Sequence, residues 1–160
     1  MLHENKMQLH PKKILLPVDF SPSSDAALKT ATEFAQHFQS QLVLLNIVPM
    51  IPIISADEFS TCYFPQQEFL EEAKGKASER LATCTHHLAG MGVKATSLVE
   101  VGNDVVGNIM MVIDREHIDM LVISTHGTSG WKPTIFGSIA EKVIRLAGCP
   151  ILLLRSARVG

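Results

Sequence analysis

The sequence contains few of the residues that build disulfide-rich, zinc-binding or membrane-spanning proteins. Three of its 160 residues are cysteines, and Cys62, Cys84 and Cys149 are too far apart for a CxxC motif or a common zinc-site spacing. An odd number of widely spaced thiols predicts reduced cysteines. No apolar run approaches the roughly 20 residues of a transmembrane helix, and residues 1–11 lack the hydrophobic stretch of a signal peptide. We therefore expect a cytoplasmic protein with no membrane partner.

Charge is also sparse and evenly spread, which excludes a further class of partner. The formal net charge is -2, and Lys and Arg are scattered along the chain. Binding to a phosphate backbone needs a concentrated basic surface, so we expect no nucleic-acid partner. A chain of 160 residues with 46% hydrophobic and 19% charged residues fits one globular domain. We place this domain at residues 12–160, after a polar tail at residues 1–11.

The sequence does contain a series of short apolar runs. Near-continuous runs of Leu and β-branched residues are typical of strands that are buried on both faces. A fifth segment, Val93 to Val101, mixes polar and apolar residues as a strand with one wetter face would, which predicts an edge strand. The four apolar runs are Ile14 to Val18, Leu42 to Val48, Met120 to Ile123 and Ile151 to Leu154.

Helical patterns occupy the segments between these runs. Ser21-Pro22 offers a capping residue followed by proline at the first helical position. The last helix is predicted to begin near Ser138, where Glu141 completes a capping box, and to end at Gly148. Two further helices are predicted, over residues 66–89 and from residue 103 onward. The residues predicted to be buried on the last helix are Ile139, Val143 and Leu146.

The alternation of strands and helices predicts the fold. It indicates a parallel sheet with right-handed crossovers. The expected fold class is α/β, a single doubly wound, Rossmann-like domain with a five-stranded parallel sheet and helices on both faces. Ligands of such folds bind outside the carboxyl ends of the strands, where the strand order reverses. We therefore expect the binding residues to follow Val18, Val48 and Ile123.

One glycine-rich segment, residues 124–138, follows a predicted strand and opens the last helix. Glycine lets a backbone approach a ligand closely, and unpaired N–H groups at a helix start favour phosphate. The segment matches neither GxxxxGK[ST] nor GxGxxG, so on its own it predicts phosphate binding only in general terms. His126 has no orienting carboxylate at hand, and we expect no catalytic residue and no metal site.

The same segment resembles the universal stress protein family. ATP-binding members of that family look like Gly-x2-Gly-x9-Gly-[Ser/Thr] at this place, and this chain reads Ser124-x2-Gly127-x9-Gly137-Ser138. The opening stretch, residues 12–21, and the closing stretch, residues 140–154, are similar to the family as well. The resemblance covers about residues 12–155 and implies the same fold.

The resemblance also implies an ATP site with Mg²⁺ held by the phosphates. Ser124 stands where the family has glycine, so its Cβ and hydroxyl would either crowd the ligand or hydrogen-bond to it. The residues implied near adenine and ribose are Pro17, Val18, Asp19 and Val48. The residues implied around the phosphates are Gly127, Gly137, Ser138 and Ile139.

Two of these residues have structural roles that the sequence also explains. Asp19 is of a type favoured in turns and at helix caps. Ser138 begins the predicted capping box, and capping uses one N–H while leaving others for a ligand. The structural and the ligand-binding roles can therefore coexist.

The function implied is that of an ATP-binding stress-response protein. It would act through nucleotide-dependent conformation or partner binding, with at most slow hydrolysis, because the sequence offers no nucleophile–base pair. The alternative is a nucleotide-free interaction protein of the same fold. Gly127 and Gly137-Ser138 favour the ATP-binding protein over this alternative. A third interpretation, an enzyme that activates a substrate with ATP, lacks its activating residues.

Two segments predict further interactions. Pro49 to Pro65 holds three of the eight prolines, and its length predicts a lid, a partner surface or a surface crossover packed by its own aromatic residues. Pro150 to Leu154 would leave an apolar edge in a monomer, which pairing with a second copy removes. The family resemblance likewise implies a homodimer, and the sequence does not identify any other protein partner.

Overall fold

The computed structural model describes residues 9–50, 66–125 and 137–155. Gly127, most of the segment from Pro49 to Pro65 and the first eight residues of the expected tail lie outside these ranges. Strands and helices alternate along the described chain. The elements are β1 (Lys13–Pro17), α1 (Pro22–Phe38), β2 (Gln41–Val48), α2 (Gln66–Gly90), β3 (Ala95–Val101), α3 (Val105–Glu116), β4 (Met120–Ser124), α4 (Ser138–Leu146) and β5 (Ile151–Leu154).

The five strands form one sheet in the order β3-β2-β1-β4-β5. Every neighbouring pair is parallel, which confirms the predicted doubly wound α/β fold. β3 lies at an edge, as its mixed polar and apolar residues predict, and β5 lies at the other edge. β1 is central, and Ile14, Leu15 and Leu16 within it are fully buried, because a strand covered on both faces must be apolar on both.

Two hydrophobic cores lie on opposite faces of the sheet. Alternate residues of each strand point to opposite faces, so Leu16 and Leu15 of β1 belong to different cores. α1 and α2 cover one face, with Ala31 and Leu81 fully buried. α3 and α4 cover the other face, where Val143 is fully buried. None of the described helices has the length and apolarity needed to cross a membrane.

The start of α1 follows the sequence pattern. The Ser21 side chain accepts a hydrogen bond from the Ser24 N–H at 3.2 Å, and Pro22 is the first helical residue. This cap satisfies one of the N–H groups that every helix start leaves unpaired. The helix ends at Phe38, and the C-cap Gln39, which has a left-handed backbone (φ 56), directs its N–H to the carbonyls of the last turn.

The predicted details of α4 are wrong in two respects. Gly137 is the N-cap and makes no side-chain capping bond, so Ser138 is already helical and the expected capping box with Glu141 does not form. The cause is a hydrogen bond from the Gly137 N–H to the Thr125 carbonyl at 2.9 Å, which sets the cap one residue earlier.

The burial predicted for α4 also needs correction. Ile139 and Leu146 are 41% and 63% exposed, whereas Ala140 and Val143 are buried. The helix spans nine residues and ends at Leu146, before Gly148. Residues three apart share a face, so the short helix presents only the face of Ala140 and Val143 to the sheet.

Candidate functional site

The carboxyl ends of the central strands surround a cleft. β1 lies between β2 and β4 in the sheet, and the chain reaches these two neighbours by crossovers on opposite faces of the sheet. A crevice opens at such a switch point because the connections diverge. The cleft has a volume of about 650 Å³, within the range of small-molecule sites.

The structure brings together eight of the nine residues implied by the family resemblance. They line this one cleft, although they come from three strands and one helix start. Gly127, the ninth, lies outside the described residues. The eight are Pro17, Val18, Asp19, Val48, Ser124, Gly137, Ser138 and Ile139.

Asp19 lies in a tight turn between β1 and α1. Its Oδ1 accepts hydrogen bonds from the Ser21 N–H at 3.0 Å and from the Ser21 hydroxyl at 2.5 Å. Phe20 between them has a left-handed backbone (φ 60), a conformation that is uncommon for an aromatic residue. The structural role that the sequence left open for Asp19 is therefore present, and it fixes the carboxylate at the cleft.

The end of β1 is held by a residue that the sequence analysis missed. The Asn46 side chain, 8% exposed, donates from Nδ2 to the Val18 carbonyl at 2.7 Å. The Val18 N–H donates to the Leu45 carbonyl at 2.7 Å, so β1 and β2 stay joined beyond the last residue of the strand. Asn46 is the one polar residue in the otherwise apolar run from Leu42 to Val48, a signal that could have identified it.

A second wall of the cleft forms where β2 and β3 end. The Gly102 N–H donates to the Val48 carbonyl at 3.0 Å, and the Met50 N–H donates to Asn103 Oδ1 at 2.9 Å. Gly102 and Asn103 both line the cleft. These bonds fix the backbone on either side of Val48, so the Val48 side chain keeps a defined position.

The start of α4 forms the opposite wall and approaches β4 very closely. A Cβ built on Gly137 would lie 2.9 Å from the Thr125 carbonyl oxygen. The backbone of Gly137 (φ -67, ψ 154) is accessible to any residue, so the glycine is needed for space and not for conformation. Among the described residues no side chain caps α4, and the first N–H groups of a helix have no partner within the helix. Ser138, Ile139 and Ala140 of this first turn line the cleft.

α2 contributes two basic side chains that sequence patterns did not single out. Lys76 and Arg80 both line the cleft. Lys76 pairs with Glu72 at 2.6 Å, and this hydrogen bond raises the pKa of Lys76 and lowers that of Glu72. The Arg80 guanidinium carbon lies 3.8 Å from the centre of the Phe20 ring. Sequence reasoning could not place α2 against the turn that follows β1.

The cleft combines an apolar floor with polar groups on its rim. The polar groups include the Asp19 carboxylate, the Lys76 ammonium, the Arg80 guanidinium and the backbone at the start of α4. Within the ranges that the structure describes, no group of three or more His, Cys, Asp and Glu side chains is placed to hold a metal ion. The apolar residues that line the cleft include Val18, Leu45, Val48, Ile109 and Ile123.

Fold and cleft together define a class: an α/β protein of the doubly wound type with a small-molecule cleft at the switch point of its sheet. Comparison with known proteins gives the family. The model of the universal stress protein family matches residues 10–155, so the chain belongs to the universal stress protein family.

Individual relatives are similar over nearly their whole length. The chain is 27% identical over 159 residues to the universal stress protein MJ0577 of Methanocaldococcus jannaschii, covering 93% of this chain and 98% of that protein. It is 26% identical over 146 residues to the universal stress protein YxiE of Bacillus subtilis, covering 89% and 98%.

Solved structures share the fold. The structure of MJ0577 has a TM-score of 0.77 at 26% identity and covers 92% of this chain and 97% of that one. A universal stress protein solved in complex with cAMP has a TM-score of 0.58 at 18% identity, with 91% and 98% covered. At that level of identity the second likeness concerns the fold alone.

Proposed function

We propose that this universal stress protein binds ATP in the cleft at the carboxyl ends of β1, β2 and β4. The bound nucleotide would then change the conformation of the protein or its binding to a partner, and this change would underlie its role in the stress response. The observation that supports the proposal is the convergence of eight separately implied residues on one cleft. They lie on four different elements, and only the fold brings them together.

The cleft offers a complementary group for each part of the nucleotide. An apolar floor that includes Val48 suits a base, which is flat and weakly polar. Asp19 accepts hydrogen bonds, and ribose hydroxyls are donors. The start of α4 lines the cleft, and a helix start offers N–H groups and a positive dipole end to phosphate.

In this proposal Mg²⁺ is held by the phosphates of ATP. Mg²⁺ in nucleotide sites keeps several water ligands and takes only one or two from the protein, so a dedicated cluster of side chains is not needed. Hydrolysis is expected to be slow or absent, and the protein is then a regulator and not an enzyme. We place it in the cytoplasm, where ATP is available and thiols such as Cys84 and Cys149 stay reduced.

Two measurements test the proposal. Mass spectrometry of ligand released by denaturing freshly purified protein should detect ATP or a product of it. Calorimetry with ATP and Mg²⁺ should show saturable binding, and Ser124→Gly should leave the affinity unchanged or raise it. If the purified protein carries no nucleotide and shows no heat with millimolar ATP, the protein does not bind ATP, and the nucleotide-free interaction protein becomes the better interpretation.

A homodimer through β5 is the second part of the proposal. β5 pairs only with β4 within the described chain, and each of its residues Ile151–Leu154 is half-buried. A strand of four aliphatic residues with one unpaired edge favours pairing with a second copy. Ile144 and Leu146 of the adjacent α4 are 42% and 63% exposed and add apolar surface.

A further inference from the structure

Arg80 occupies an unusual position on the wall of the cleft. It lies on the exposed side of α2, and its guanidinium carbon is 3.8 Å from the centre of the Phe20 ring. The Phe20 ring is half-buried and packs against the hydrophobic core under α1 and α2, and the turn that holds Asp19 gives Phe20 a left-handed backbone. Arg80 is therefore oriented by the same turn that presents the Asp19 carboxylate.

Stacking on an aromatic ring uses the face of a guanidinium and leaves its edge available. The five N–H groups of arginine lie in the guanidinium plane, and a cation above a ring is attracted by the electron-rich face. The Phe20 ring thus restricts the rotamers of Arg80 without taking up its hydrogen-bond donors. A side chain ordered in this way loses less entropy when it binds a ligand.

The charge of Arg80 also distinguishes it from its neighbour on α2. Lys76, one turn away, is paired with Glu72 at 2.6 Å. Among the described residues no carboxylate lies within 4.0 Å of the Arg80 guanidinium. Arg80 therefore carries the uncompensated positive charge on this wall of the cleft.

We propose that Arg80, oriented by Phe20, contacts the phosphate groups of the bound nucleotide and makes the affinity of the cleft depend on phosphate charge. The inference rests on the proposed nucleotide site. A guanidinium has donors and no acceptor, and the negative charges of a nucleotide are on its phosphates. The planar fork of arginine also fits two phosphate oxygens at once. Arg80 is thus a specificity-determining residue for polyphosphate over monophosphate or nucleoside.

The test is calorimetry with ATP, ADP, AMP and adenosine at one fixed salt concentration. Three variants are compared with the wild type: Arg80→Ala, Arg80→Lys and Lys29→Ala. Lys29 is exposed on α1 and does not line the cleft. The variant Lys29→Ala removes the same net charge as Arg80→Ala. Circular dichroism and a denaturation midpoint verify that each variant folds.

For the wild type we expect affinity to fall from ATP to ADP to AMP. Arg80→Ala should weaken the affinity for ATP about tenfold to hundredfold, which corresponds to the loss of one charge-assisted hydrogen bond. The affinity for adenosine should change less than about threefold, so the four ligands should differ less in affinity than they do for the wild type. Arg80→Lys should restore part of the loss, because it keeps the charge without the planar fork. Lys29→Ala should match the wild type.

Other outcomes separate the two proposals. If the wild type binds none of the four compounds, the nucleotide site itself is refuted. If the wild type binds ATP but Arg80→Ala weakens adenosine as much as ATP, Arg80 acts as a wall of the cleft or on the base, and the inference is wrong. If Arg80→Ala and Lys29→Ala lose ATP affinity equally, the effect comes from net charge alone, and the inference about Arg80 is also wrong.

Discussion

Gly137 allows the geometry of the cleft to be tested with a single methyl group. In Gly137→Ala the new Cβ would lie 2.9 Å from the Thr125 carbonyl oxygen. That oxygen cannot simply move away, because it accepts the Gly137 N–H at 2.9 Å. The backbone angles of Gly137 (φ -67, ψ 154) suit alanine equally well, so a loss of stability comes from this contact and from the poorer N-capping of alanine, and not from backbone strain.

The expected loss follows from two opposing effects. Inserting a carbon into a filled space costs about 1–3 kcal/mol when the neighbours must shift. Replacing glycine by alanine also restricts the unfolded chain, which returns about 0.4–1 kcal/mol. The middles of these two ranges differ by about 1.3 kcal/mol, and alanine is also a poorer N-cap than glycine. We therefore expect Gly137→Ala to lower the free energy of unfolding by about 1–2 kcal/mol, with the denaturant slope unchanged.

Gly75→Ala is the matched control. Gly75 lies within α2, and a Cβ at this position has nothing within 4 Å. The same substitution should therefore stabilise the protein by about 0.5–1 kcal/mol, the helix-interior preference of alanine over glycine. Both variants are measured by urea denaturation followed by circular dichroism. If Gly137→Ala is as stable as Gly75→Ala, the close approach of α4 to β4 is wrong.

Three further predictions concern the cleft and the sheet edge. Asn46→Leu leaves the buried Val18 carbonyl without its hydrogen bond and should cost about 1–3 kcal/mol in urea denaturation; unchanged stability would show that the bond contributes nothing. Asp19→Asn keeps an oxygen for the Ser21 N–H, so it should remain folded yet bind ATP about tenfold more weakly by calorimetry, and an unaltered affinity would remove Asp19 from the ligand contacts. Light scattering at micromolar concentration should give the mass of a dimer, which Leu153→Lys in the edge strand should reduce to that of a monomer; a wild-type monomer would refute pairing through β5.

The elements of the fold could be predicted because they depend on local patterns. Apolar runs, Ser21-Pro22 and the change of period between strand and helix are all readable within a few residues. The edge position of β3 was predictable as well, since its polar residues suit a strand with less coverage. α4 begins at Ser138 as predicted, but its cap is Gly137 and not Ser138, and the Gly137 N–H bonds to the Thr125 carbonyl, twelve residues earlier in the sequence. No local pattern contains that contact.

The candidate site divides in the same way. Residues at strand ends were predictable, because the fold class alone says where a ligand binds. Asn46 and Arg80 were missed because their importance depends on partners 28 and 60 residues away, Val18 and Phe20. A polar residue inside an apolar strand is a visible signal, whereas an exposed arginine on a polar helix is not.

The turn after β1 connects the stability of the fold to the chemistry of the cleft. One carboxylate oxygen of Asp19 accepts both the N–H and the hydroxyl of Ser21, and Ser21 in turn caps α1. The same turn gives Phe20 its left-handed backbone, and the Phe20 ring orients Arg80. Because these contacts form a single chain, a structural role for Asp19 does not compete with a role in binding. The turn that begins α1 is what holds an acceptor and a cationic donor in fixed positions at the same cleft.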